Sequence, residues 1–135
     1  MFQPTASFSS FSVDDVEKAR AFYGGTLGFD VADQMGGLLV TVPGGQTVFA
    51  YPKPDHVPAT FTVLNFEVAD LDAAIAEIEG LGLHLEHYPS TPEMPVDGRG
   101  VLRDPDSGMG IAWFTDPAGN VLSVVTRAAA GAGQP

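Results

Sequence analysis

The chain contains no cysteine. Disulfide bridges and thiolate chemistry are therefore excluded. Basic residues are scarce: 6 Lys and Arg stand against 17 Asp and Glu, a formal net charge of −11. A surface of that sign repels phosphate backbones and anionic lipid, so neither nucleic acid nor a membrane is an expected partner. No apolar run approaches the roughly 20 residues needed to cross a bilayer. The opening Met1-Phe2-Gln3-Pro4 has neither the basic start nor the apolar stretch of a signal peptide. The expectation is a soluble, cytoplasmic protein. Histidine is limited to 3 residues, and no Ser-His-carboxylate arrangement stands out, so nucleophilic catalysis has no support in the sequence.

What is present is a repeat. Val13-Asp14-Asp15-Val16-Glu17-Lys18-Ala19 is echoed by Val68-Ala69-Asp70-Leu71-Asp72-Ala73-Ala74. Leu27-Gly28-Phe29 returns as Leu81-Gly82-Leu83, and Pro43-Gly44-Gly45-Gln46 as Pro117-Ala118-Gly119-Asn120. In the first copy, Phe8 to Val13 alternates as a strand, and Asp14 or Asp15 offers an N-cap. Val16, Ala19, Phe22 and Tyr23 form one helical face, which Gly24-Gly25 is expected to end. Strands are expected from Gly28 to Ala32, Leu38 to Val42 and Thr47 to Tyr51. In the second copy they are expected at Thr60–Val68, Leu83–His87, Ile111–Thr115 and Val121–Thr126, with a helix from Asp70 to Glu79. Pro89 to Gly110 reads as one long irregular loop.

With 44% hydrophobic residues in 135, the chain can bury one core. Residues 6–127 are read as one α+β domain. It comprises a first βαβββ module (6–51), a proline-rich linker (52–59) and a second βαβββ module (60–127), the two forming a curved mixed sheet. The tail 128–135 is expected to be disordered.

This order, with Val13-Asp14-Asp15, Phe22-Tyr23, Leu27-Gly28-Phe29 and Asp116-Pro117-Ala118-Gly119-Asn120, resembles the vicinal oxygen chelate superfamily. That is the group of glyoxalases, bleomycin-resistance proteins and extradiol dioxygenases. The resemblance implies a divalent metal on the concave face, held by His, Glu or Gln. The positions that match are Phe8, Phe49, Val63 and Ser123. Phe and Val have no donor atom, and a lone neutral hydroxyl is a weak ligand. Their immediate neighbours Ser7, Ser9, Leu64, Leu122 and Val124 supply no His or carboxylate either. No metal and no other cofactor is therefore expected. His84 and His87 point to opposite faces of a strand, which suits a metal pair badly.

Strand alternation puts Phe8, Ser10, Phe49, Tyr51, Val63, Asn65 and Ser123 on the face away from the helices. Trp113 joins them as a candidate anchor for a planar ligand. The resulting expectation is a metal-free binding protein of the bleomycin-resistance type. It would sequester a small organic or antibiotic-like molecule as a homodimer. The alternative is a metal-dependent lyase, isomerase or dioxygenase with non-standard ligands, drawn for example from His87, Glu93, Asp97, Asp104 and Asp106.

Overall fold

The computed structural model describes residues 1–127. The expected disordered tail lies outside the described residues. The described residues divide into two compact units: residues 1–58 together with Asp116–Asn120, and residues 59–115 together with 121–127.

The first unit holds β1 (Ser9–Val13), α1 (Val16–Arg20), a π-helical segment (Ala21–Thr26), β2 (Asp30–Gln34), β3 (Gly37–Thr41) and β4 (Thr47–Pro52). Its sheet runs β1-β4-β3-β2, with β1 parallel to β4 and the other pairs antiparallel. The second unit holds β5 (Thr62–Glu67), α2 (Leu71–Gly80), β6 (Val101–Arg103), β7 (Gly110–Thr115) and β8 (Val121–Thr126). Its sheet has the same topology, β5-β8-β7-β6, with β5 parallel to β8. Two βαβββ modules are thus present, as the repeat requires.

Each sheet buries one face under its helix. In the first, Phe11, Val13, Leu38, Val40, Val48 and Ala50 are buried with Ala19, Phe22 and Tyr23 of the helical segment. In the second, Leu64, Ala112, Phe114, Leu122 and Val124 are buried with Leu71, Ala74, Ile75 and Ile78 of α2. Gly110 belongs to this packing, because a Cβ there would stand 2.7 Å from Leu71 Cδ2. Both helices start where carboxylates cap them. Asp15 accepts from the Glu17 and Lys18 amides at 2.9 and 3.2 Å, and Asp70 accepts from the Ala73 amide at 3.1 Å.

Two expectations are corrected. The first helix does not stop at Gly24-Gly25. It widens into a π turn, with the Leu27 amide donating to the Phe22 carbonyl at 2.8 Å. Gly24 serves close packing instead: a Cβ there would meet Val31 Cγ2 at 2.9 Å. The reversal falls later, at Gly28, whose φ of 76° suits a residue without Cβ. In the second module, Leu83–His87 is not a strand. It touches the edge of β7 through one bond, from the Glu86 amide to the Trp113 carbonyl at 2.8 Å. The second strand of that module is β6, inside the stretch expected to be irregular. Asp97 organises the turn before β6 by accepting from the Arg99 and Val101 amides at 2.8 and 3.0 Å. Gly100 brings that turn against the Glu86 carbonyl, where no Cβ would fit.

The 116–120 turn completes the first unit. Asp116 is buried, and its carboxylate takes four donors. The Ala118 and Asn120 amides reach Oδ1, both at 2.9 Å, while the Tyr23 hydroxyl and Asn120 Nδ2 reach Oδ2 at 2.7 and 3.2 Å. Asn120 Nδ2 also donates to the Ser12 carbonyl at 2.8 Å. Burial, then the neighbouring Asp116 charge, pushes the Tyr23 phenol well above its ordinary value of 10.0.

Two outcomes follow from this network. Tyr23→Phe removes a hydrogen bond to a buried charge and should cost about 1.5–3 kcal/mol in urea unfolding. Asp116→Ala, which orphans several donors at once, should cost more. The pH profile carries a sign as well. Above pH ~10 the unfolded chain releases the tyrosine proton while the folded chain keeps it. Stability should therefore fall as pH rises past that value, and less steeply in Tyr23→Phe; equal alkaline slopes would refute the account.

Candidate functional site

The face of the first sheet turned away from its helix carries three of the expected residues. Ser10 stands opposite Phe49, and Ser12 opposite Tyr51, in the β1–β4 ladder. The Phe49 and Tyr51 rings stack with centroids 6.1 Å apart and planes at 25°. Phe49 lies across β3 because that strand opens with Gly37, where a Cβ would meet the ring at 2.9 Å. Phe8 stands outside these strands in the chain. It precedes β1 and is 59% exposed.

A polar contact that sequence reasoning missed lies at the end of this face. His56 is half-buried, with Nδ1 2.7 Å from Ser12 Oγ and Nε2 2.9 Å from the Ala118 carbonyl. A carbonyl can only accept, so Nε2 carries a proton, and in the neutral ring Nδ1 accepts from the serine hydroxyl. The linker reading of Pro52–Pro58 gave no sign of this. Its only signal was a histidine between prolines.

In the second unit, register settles the orientation of Trp113. It pairs with Ser123, which pairs with Asn65, so the three form one row across β7, β8 and β5. Adjacent partners share a face, and this face is opposite to the α2 side. Trp113 is only 6% exposed, because Tyr88 packs edge-on against it at 5.3 Å. Its indole N–H donates to Thr62 Oγ1 at 3.1 Å. Thr62 reaches that side through an irregularity in β5 between Thr62 and Leu64, where Val63 sits half-buried. No sequence signal marks this bulge. Ser123 is wholly buried and donates to Asn65 Oδ1 at 2.5 Å, while Asn65 itself is exposed.

The donor set does not fit a divalent metal. Phe8, Phe49 and Val63 offer none, and the Ser123 hydroxyl is committed to Asn65. Among the described residues, no group of three His, Asp or Glu side chains is placed to hold an ion. Two carboxylates considered for an alternative cluster are used in turns. Asp97 accepts backbone amides, and Asp104 accepts from the Asp106 amide at 3.2 Å and from Ser107 Oγ at 2.6 Å. The bond from the Val101 amide holds Asp97 below the usual carboxylate range, and the Ser107 hydroxyl does the same for Asp104. His84 and His87 are exposed.

A shallow cleft of about 170 Å³ in the first unit is lined by Gly28, Phe29, Asp30, Thr41, Val42 and Pro43. It includes none of the expected residues, and it falls below the roughly 300 Å³ at which ligand pockets begin.

Comparison with known proteins agrees with this architecture. An antibiotic-binding protein from Streptomyces sp. CB03234 is 27% identical, with a TM-score of 0.61 over 93% of this chain and 99% of that one. A glyoxalase/bleomycin resistance protein from the same strain is 28% identical, with a TM-score of 0.55 over 87% and 98%. A fosfomycin resistance protein from Listeria monocytogenes shares the fold at 13% identity, with a TM-score of 0.65 over 93% and 94%. No curated protein matches the chain significantly. The model of the Glyoxalase/Bleomycin resistance protein/Dioxygenase superfamily matches residues 7–124, and the chain belongs to that superfamily.

Proposed function

We propose that this chain is a metal-free binding protein that sequesters a small organic molecule of antibiotic type. The observation that carries the reading is the content of the four positions where the superfamily places metal ligands. Phe8, Phe49 and Val63 have no donor, and Ser123 is turned to Asn65. What the two units offer instead is aromatic side chains with sparse polar anchors: half-buried Phe49 and Tyr51 with Ser10 on one sheet face, and on the other Trp113, beneath Tyr88, in the row of Asn65. Apolar walls with a few placed hydrogen-bonding groups suit retention of a small molecule better than bond cleavage. The antibiotic-binding relative, at 27% identity, supports the same direction.

We also infer a homodimer acting in the cytoplasm. Each four-stranded sheet has two edge strands, β1 and β2 in one unit and β5 and β6 in the other. Twofold association is a common way to cover such edges. Among the described residues, no helix is long and apolar enough to cross a membrane.

The first test is elemental analysis of the purified protein, with melting curves in zinc, nickel, manganese and iron(II). A ligand that binds only the native state raises the melting temperature. The expected result is sub-stoichiometric metal and no shift. Stoichiometric metal with stabilisation would reverse the reading in favour of an enzyme. The second test screens antibiotics by the same melting assay and follows the strongest compound by calorimetry. Phe49→Ala should weaken that compound about tenfold, as loss of one aromatic wall implies. Affinity unchanged, with the fold intact, would remove Phe49 from the site.

A further inference from the structure

The buried Ser123 hydroxyl does more than fill space. Its proton needs an acceptor, and Asn65 Oδ1 takes it. This fixes the amide, because the opposite orientation would point an N–H₂ group at the serine and leave the buried hydroxyl proton without that acceptor. With Oδ1 turned inward, the Asn65 amide presents its two N–H donors outward from an exposed side chain. Trp113 stands in the same cross-strand row as Asn65 and Ser123, and Tyr88 of the irregular segment packs edge-on against it. The indole N–H is already taken by Thr62 Oγ1, so the donors that this row leaves for a ligand are those of Asn65.

We infer that the ligand carries a neutral oxygen acceptor of the ketone or amide carbonyl class beside a planar ring, and that Asn65 selects for it with Ser123 as the positioning residue. The inference rests on the binding reading above and names the chemistry of that ligand. A carboxylate is a poorer match. Glu67 follows on the same face of β5, and the chain carries a net charge of −11. Glu67 is ion-paired with Arg127 at 3.2 Å, which leaves little cation for an anionic ligand there.

The test uses a matched pair of probes, indanone and indane, which share a fused ring system and differ by one carbonyl. Affinities are read by ligand-observed NMR titration of the full chain. Indanone should bind roughly fivefold more tightly, the range of one neutral hydrogen bond. In Asn65→Asp the outward group becomes an acceptor while Ser123 keeps its partner, and the ratio should fall to about one or below. In Ser123→Ala the amide is free to turn, and the ratio should fall part of the way. The ratio is informative because a general loss of packing would weaken both probes alike, and melting curves of both variants confirm folding. Equal affinities in the parent chain, or a ratio unmoved by Asn65→Asp, would overturn the inference and leave the binding reading standing. Absence of indanone binding up to its solubility would also overturn the inference, while the antibiotic screen decides the binding reading separately.

Discussion

A buried carboxylate is stable only when its lone pairs are answered, and Asp116 imposes that condition on the first unit. Four donors converge on it, two from its own turn, one from the Tyr23 phenol and one from the Asn120 side chain. Removing any of them leaves charge in a desolvated place, a far larger penalty than the modest net gain of an ordinary hydrogen bond. The turn needs Gly119 at a φ of 84°, where a Cβ would also meet Pro58 at 2.9 Å. Asn120 then holds the Ser12 carbonyl, and the Ala118 carbonyl holds His56. The end of β1, the linker histidine and the helical segment are therefore positioned by one anion.

The parts of this structure that were legible in sequence are those governed by short-range rules. Alternation placed Phe11 and Val13 under the helix and Ser10 and Ser12 on the other face, because a strand has a strict period of two. Asp14 or Asp15, and Asp70, mark helix starts, since a carboxylate before an apolar periodic run suits a cap. The features that stayed hidden depend on distant partners. Gly24 looks like a helix terminator until Val31 is seen packed against it. Leu83–His87 alternates like a strand, yet only Glu86 reaches β7, and β6 forms from a segment rich in turn residues. The β5 irregularity that turns Thr62 towards Trp113, and the meeting of Ser12 with His56, leave no local pattern at all.

The candidate faces show the same division. Their membership followed from parity, and the lack of metal donors followed from residue identity. How their polar groups are used did not. Ser123 reads in sequence as a weak ligand left over at a metal position. In the fold it is a wholly buried donor whose partner is fixed. Trp113 reads in sequence as an anchor or as core, and in the fold it is buried with Tyr88 packed against it.

That cover bears on how binding would proceed. Tyr88 is exposed by 38% and belongs to the irregular segment that meets β7 at Glu86, so few backbone bonds oppose its displacement. Moving it would uncover an indole already oriented by Thr62, and an oriented aromatic surface loses little entropy on meeting a planar ligand. On the other sheet, Phe49 and Tyr51 are half-buried and already stacked, so no comparable displacement is required. The two halves of the repeat thus present different aromatic surfaces on one topology.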